Sequence, residues 1–121
     1  MIVVETWSDI LSLEAHLEPV LYSRLQKRFR TLHQPYCAAN TGRLTLSEFS
    51  LTDYGAIVLV HSFDEIESIS IESAWTISLP NNRSIFIALV PINNGCCKEY
   101  WIPYDLMTSD QIEAFKGDYC L

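Results

Sequence analysis

In Ile69-Ser70-Ile71-Glu72-Ser73-Ala74-Trp75-Thr76-Ile77-Ser78-Leu79 every second residue except Ser73 is a large apolar or aromatic one, and the residues between are Ser70, Glu72, Ala74, Thr76 and Ser78. A β-strand turns successive side chains to opposite faces, so this period of two predicts a strand with one packed and one wetted face. Pro80-Asn81-Asn82 follows, and asparagine tolerates the positive φ angles of a hairpin turn. Residues 84–90 then read as a returning strand. Asn93-Asn94-Gly95 is a second and stronger turn signal, leading into a strand over residues 96–102.

Upstream, Ala56-Ile57-Val58-Leu59-Val60 is a short apolar run of the kind found in a buried central strand. Residues 44–49 alternate and are expected to add a further strand, while Pro, Asn, Thr and Gly over residues 34–42 predict a loop. Before the loop the period changes. Ile10, Leu13, Leu17, Leu21, Leu25, Phe29 and Leu32 recur every three or four residues and form one helical stripe. Thr6 or Ser8 can cap its start. Pro19 falls inside the stripe, which predicts a kinked or broken helical arm over residues 8–32. At the other end, Thr108 and Gln111 have capping-box spacing, Ile112 and Phe115 give an apolar side, and Gly117 marks a stop. The fold class is therefore α+β. A single domain over residues 1–121 is expected, with the helical arm packed on a mainly antiparallel four- to five-stranded sheet and a short C-terminal helix.

With 121 residues, 49% of them hydrophobic and 19% charged, the chain has material for one core and too little charge for a disordered tail. Such a length buries roughly two-thirds of the unfolded surface without a metal or disulfide staple. The net charge is −7, which argues against nucleic acid or an anionic membrane as the main partner. No basic region precedes a long apolar stretch, and no run approaches the length of a membrane span. Cys37, Cys96, Cys97 and Cys120 include no CxxC pair and read as reduced thiols, so a cytoplasmic location is expected.

Catalytic signatures are absent: there is no GxGxxG, P-loop, GxSxG or HExxH. His33 and Cys37 are four residues apart, but Pro35 between them is expected to break the helical geometry that would pair them. His61 follows the run 56–60 and precedes Asp64, Glu65 and Glu67, so it is the best-placed histidine for acid–base work. It lacks the second histidine of a transition-metal site, and the plainer reading is a strand-end residue hydrogen-bonded to a neighbour. No cofactor and no metal are expected.

Charge is segregated along the chain. Residues 1–23 carry four acids and no base, residues 24–43 five bases and no acid, and residues 44–121 eleven acids and three bases. Helix-dipole complementation accounts for the basic cluster but not for the acidic excess on the sheet half, where Asp64, Glu65, Glu67 and Glu72 fall close together. Strand alternation sends Tyr100 and Trp101 to opposite faces, so one of them is expected in an exposed aromatic patch with Trp75 and Tyr104. These eight residues form the candidate binding site. The expected function is a non-enzymatic protein-binding module, in its sharpest form an acidic immunity- or antitoxin-like inhibitor of a basic toxin or nuclease. Charge reversal at Glu65, Glu67 and Glu72 is then expected to slow association. The alternative is a small-molecule binder with a pocket between helices and sheet, lined by Trp, Tyr and Met107. A homodimer through an edge strand, or through the aromatic strand 96–102, would give the exposed aromatics a structural use.

Overall fold

The computed structural model describes residues 1–39, 45–51, 55–92 and 96–119. By contact density the chain divides into two units, Met1–Val3 with Tyr54–Leu121, and Val4–Asp53. The class is α+β. Among the described residues no helix is long and apolar enough to cross a membrane.

The first unit is built on a five-stranded mixed sheet. Its strands are β1 (Ile2–Val4), β2 (Ile57–Leu59), β3 (Ser73–Leu79), β4 (Arg83–Pro91) and β5 (Cys97–Pro103), in the order β1-β2-β5-β4-β3. The alternating stretch supplies β3, although the strand starts at Ser73 rather than at Ile69. Asn81 and Asn82 take φ angles of 64° and 57°, the left-handed conformation that asparagine tolerates in a hairpin turn, and β4 returns antiparallel with Trp75 opposite Ile87. The Asn93-Asn94-Gly95 turn lies outside the described residues. Around it, the Ile92 amide donates to the Cys96 carbonyl at 2.8 Å, and β5 runs back antiparallel to β4.

The run 56–60 is the buried strand expected, but its partner is remote in sequence. β2 lies parallel to β5, with Val58 opposite Tyr100 and Leu59 opposite Trp101. Gly55 makes this approach possible: its φ is +121°, and a Cβ there would overlap the Cys97 carbonyl oxygen. Because β5 has a neighbour on both sides, the strand 96–102 is not an edge and cannot pair with another copy.

Val58, Val60, Phe86, Ala88, Tyr100 and Ile102 point to one face of the sheet and form a core with Ile66, Met107 and Phe115. Phe86 lies 4.2 Å from Phe115 and 4.1 Å from Tyr104, centroid to centroid. Phe115 comes from the C-terminal helix (Ser109–Asp118), whose start is the expected capping box: Gln111 N–H donates to Thr108 Oγ1 at 3.2 Å and Thr108 N–H to Gln111 Oε1 at 2.9 Å. Gly117 does not stop this helix; it sits inside the last turn and Tyr119 caps it. On the opposite face Ile57, Leu59, Ile85, Ile87 and Trp101 are buried as well. The central strands are thus packed on both sides.

In the second unit, α1 (Trp7–Leu11) begins at Thr6, whose hydroxyl accepts from Asp9 N–H while Asp9 Oδ2 accepts from the Thr6 and Glu5 amides. The arm is broken, not kinked: residues 12–18 form turns, and Pro19 is the first residue of α2 (Pro19–Ala39), where its missing N–H costs nothing. α2 then continues past Leu32 through Pro35, into the stretch expected as loop. A proline near a helix end deletes a single backbone bond and leaves the turns before it intact, so composition alone misplaced this boundary. Of the strand expected over residues 44–49, Leu44 lies outside the described residues, and residues 45–49 do not form a strand. The Thr45 carbonyl accepts from the Glu48 and Phe49 amides at 3.1 Å each, making a turn that delivers Phe49 to the core. There Phe29 meets Trp7 at 5.8 Å and Phe49 at 5.6 Å, beside buried Ile10, Leu13, Leu25 and Leu51.

Candidate functional site

The segment after β2 carries the acidic residues. Val60 ends the apolar run, His61 and Ser62 are exposed, and a 3-10 turn (Phe63–Ile66) tucks Ile66 into the core while its polar residues face outward. Asp64 and Glu67 are exposed, as is Glu72 just before β3, whose backbone N–H donates to the Leu89 carbonyl at 2.8 Å.

Glu65 behaves differently. Its Oε2 accepts the His61 amide at 3.1 Å, and its Oε1 accepts the Met1 ammonium at 3.1 Å. The His61 amide bond holds the carboxyl below its ordinary range, partial burial opposes this, and the Met1 ammonium and His61 add to the lowering. Glu65 therefore ties β1 to the end of β2, and reversing its charge would break that tie. His61 takes part through its backbone. Among the described residues no group of three or more His, Cys, Asp or Glu is arranged to hold a metal ion.

The aromatic residues are not one patch. Tyr100 is 8% exposed in the core of one face and Trp101 is 4% exposed on the other, so neither is available to a partner. The expectation of an exposed Tyr100 or Trp101 fails because both faces of β5 are covered, whereas alternation was read as one dry and one wet face. Tyr104 is half-buried: its ring stacks on Phe86 at 4.1 Å, its hydroxyl hydrogen-bonds Thr76 Oγ1 at 3.1 Å, and the Lys116 ammonium stands 5.7 Å over it. Trp75 is half-buried on β3. Trp75, Tyr104 and Glu72 are accessible in part or in full; Tyr100 and Trp101 are interior.

Sequence reasoning missed Glu99. It is the one buried charged residue among the described residues, 4% exposed, and Trp101 Nε1–H donates to its Oε1 at 3.3 Å. The i, i+2 spacing on a strand was the available signal, since it places both side chains on one face. Cys97 shares that face; burial first, then the charges of Glu72, Cys96 and Glu99, push its thiol up and make it a poor nucleophile. Cys96 and Cys97 are free thiols. Cys37 falls within α2 together with His33, so Pro35 does not break the helix between them, and Cys120 lies outside the described residues. The His33 ring lies 5.2 Å from that of Phe49, tilted by 59°.

One concavity among the described residues follows the exposed side of α2, lined by Pro19, Val20, Ser23, Arg24 and Lys27. It holds none of the aromatic residues expected to line a ligand pocket, and Met107 is packed in the core. Comparison of the chain with family models, with curated proteins and with solved structures finds no match in any of the three.

Proposed function

We propose that this protein is a non-enzymatic protein-binding module that presents the acidic surface of its sheet unit to a basic partner protein. One observation carries the reading. The sheet unit has nine acids against three bases, a net charge of −6, and Asp64, Glu67, Glu72, Asp105, Asp110, Glu113 and Asp118 are all exposed. Glu99 is interior and Glu65 is held by the Met1 and His61 nitrogens, so these seven supply the outward field. Such a field steers a cationic partner to encounter and repels anionic competitors. Occlusion of a basic toxin or nuclease, whose own surface is built for phosphates, is the sharpest form of this role. Partly accessible Tyr104 and Trp75 lie on the same unit and supply apolar contact area.

Chemical crosslinking in the native cells, with the tagged wild-type chain and an Asp64→Lys/Glu67→Lys/Asp105→Lys variant, tests this. The expected result is a basic protein crosslinked to the wild type and lost with the variant. Its purified association rate should then fall steeply with ionic strength. Equal recovery by the charge-reversed variant, or a partner that is itself acidic, would overturn the reading.

A further inference from the structure

We infer that the outer side of α2 is a second binding surface, a groove that takes a short acidic peptide segment of a partner protein. The groove has a volume of about 520 Å³ and is lined by Pro19, Val20, Ser23, Arg24 and Lys27, all of them exposed. Helical spacing puts positions 20, 23, 24 and 27 on one side, opposite the buried Leu25 and Phe29. The helix dipole does not account for these cations. From the sequence the basic cluster reads as complementing a helix C-terminus, but α2 runs on to Ala39, so Arg24, Lys27 and Arg28 lie in its N-terminal half. Its last turn holds no base and its first turn no acid, and cations toward the positive end of a helix are disfavoured. Like charges three and four residues apart oppose the helix further. Arg30 has a packing use, its guanidinium standing 5.0 Å over the Trp7 ring. For Arg24 and Lys27 on the groove, an anion that neutralises them supplies the reason.

Charge and length together select the occupant. No Asp or Glu occurs from residue 19 to residue 47, so the cations and the start of the helix act with one sign on whatever lies in the groove. From Val20 to Lys27 the groove runs about 10 Å along the helix axis, the length of about three residues of extended chain. Carboxylates over Arg24 and Lys27, with an apolar side chain against Pro19 and Val20, match this lining. A nucleic acid matches it less well, because a polyanion reaches past the groove into the field of a chain whose net charge is −7. A short segment carries its charges only where the cations are, and screening over about 8 Å at physiological salt confines the rest.

Fluorescence anisotropy of the full chain with a labelled peptide, two leucines followed by four glutamates, tests the inference. Saturable binding is expected at about 50 mM salt, weakened about ten-fold at about 300 mM. Arg24→Glu/Lys27→Glu is expected to abolish it. Arg24→Gln/Lys27→Gln is expected to weaken it about ten-fold, and glutamine is a good helix former, so this pair decides the matter even if the charge-reversed chain fails to fold. Circular dichroism checks both. The Asp64→Lys/Glu67→Lys/Asp105→Lys variant is expected to bind the peptide at least as well as wild type, so this inference and the acidic-surface reading fail separately. No binding at about 1 mM peptide overturns the inference, as does binding that the glutamine pair leaves unchanged. Tighter binding of a six-nucleotide single-stranded RNA would overturn it in favour of nucleic acid. Self-association of the wild type that Arg24→Gln/Lys27→Gln abolishes would overturn it in favour of a second copy.

Discussion

Trp101 and Glu99 meet at 3.3 Å inside the sheet, the indole N–H donating to a carboxylate that is 4% exposed. They are neighbours on one face of β5, at the centre of the sheet, where an unsatisfied polar atom is costly. Trp101→Phe keeps most of the packing but removes the donor, and should destabilise the protein by about 1–3 kcal/mol. Glu99→Gln, which retains an oxygen acceptor, should cost less than Glu99→Leu. Urea denaturation of the three variants checks both statements, and equal stability of Trp101→Phe and wild type would show that the bond contributes nothing.

Gly55 permits the parallel pairing of β2 with β5. At φ +121° any Cβ is strained, and here it would also overlap the Cys97 carbonyl. Gly55→Ala should therefore destabilise by about 1–3 kcal/mol or more, since the obstacle is backbone and cannot rotate away. Thermal melting reads this directly. Gly117→Ala is the control: nothing lies within 4 Å of the added methyl, and a glycine in a helix interior favours replacement by alanine.

Local chemistry was legible in the sequence and remote pairing was not. Both ends of the capping box at Thr108 and Gln111 lie within one turn, and so does the Asn81-Asn82 turn; each needs only its neighbours to form. The parallel partnership of β2 and β5 joins residues some forty apart, and no periodicity encodes it. Tyr100 and Trp101 were misjudged for a related reason. Alternation within one strand implies one wet face, whereas the unbroken apolar run Ile85-Phe86-Ile87-Ala88 on the adjoining strand signals burial on both sides. Pro35 shows the reverse relation, in which a local helix-breaking signal is overridden by the helix that precedes it. Of the candidate site, the exposed carboxylates are readable from composition, but Glu65's engagement with Met1 joins residues 64 apart in sequence, which no local signal encodes.

That engagement makes part of the stability pH-dependent. In the folded protein Glu65 titrates below its ordinary value of 4.5, chiefly because the His61 amide donates to the ionised form. Above pH 4.5 the carboxylate is ionised both folded and unfolded, and its full contribution is present. As pH falls below that value the unfolded chain takes up the proton first, and the contribution is lost by the time the folded carboxyl is also protonated. Glu65→Gln should flatten the acid limb of the stability curve in this window and leave the dependence above it unchanged. Denaturation midpoints measured from pH 3 to pH 6 test the sign, and a variant with the wild-type slope would remove Glu65 from the account.

The same logic applied to a thiol predicts reactivity. Burial and the nearby charge of Glu72 raise Cys97 above the ordinary thiol value of 9.0, so its thiolate is scarce at neutral pH. Alkylation by iodoacetamide, followed at Cys97 by mass spectrometry, should be slow at pH 7 and reach half its limiting rate only above pH 9. Glu72→Gln removes one of the charges that disfavour the thiolate and should shift that profile to lower pH. Burial, the larger cause, is unchanged, so the shift should be partial. A profile that does not move would mean that Glu72 acts on Cys97 too weakly to matter, while a complete return to the ordinary value would mean that charge, not burial, controls the thiol.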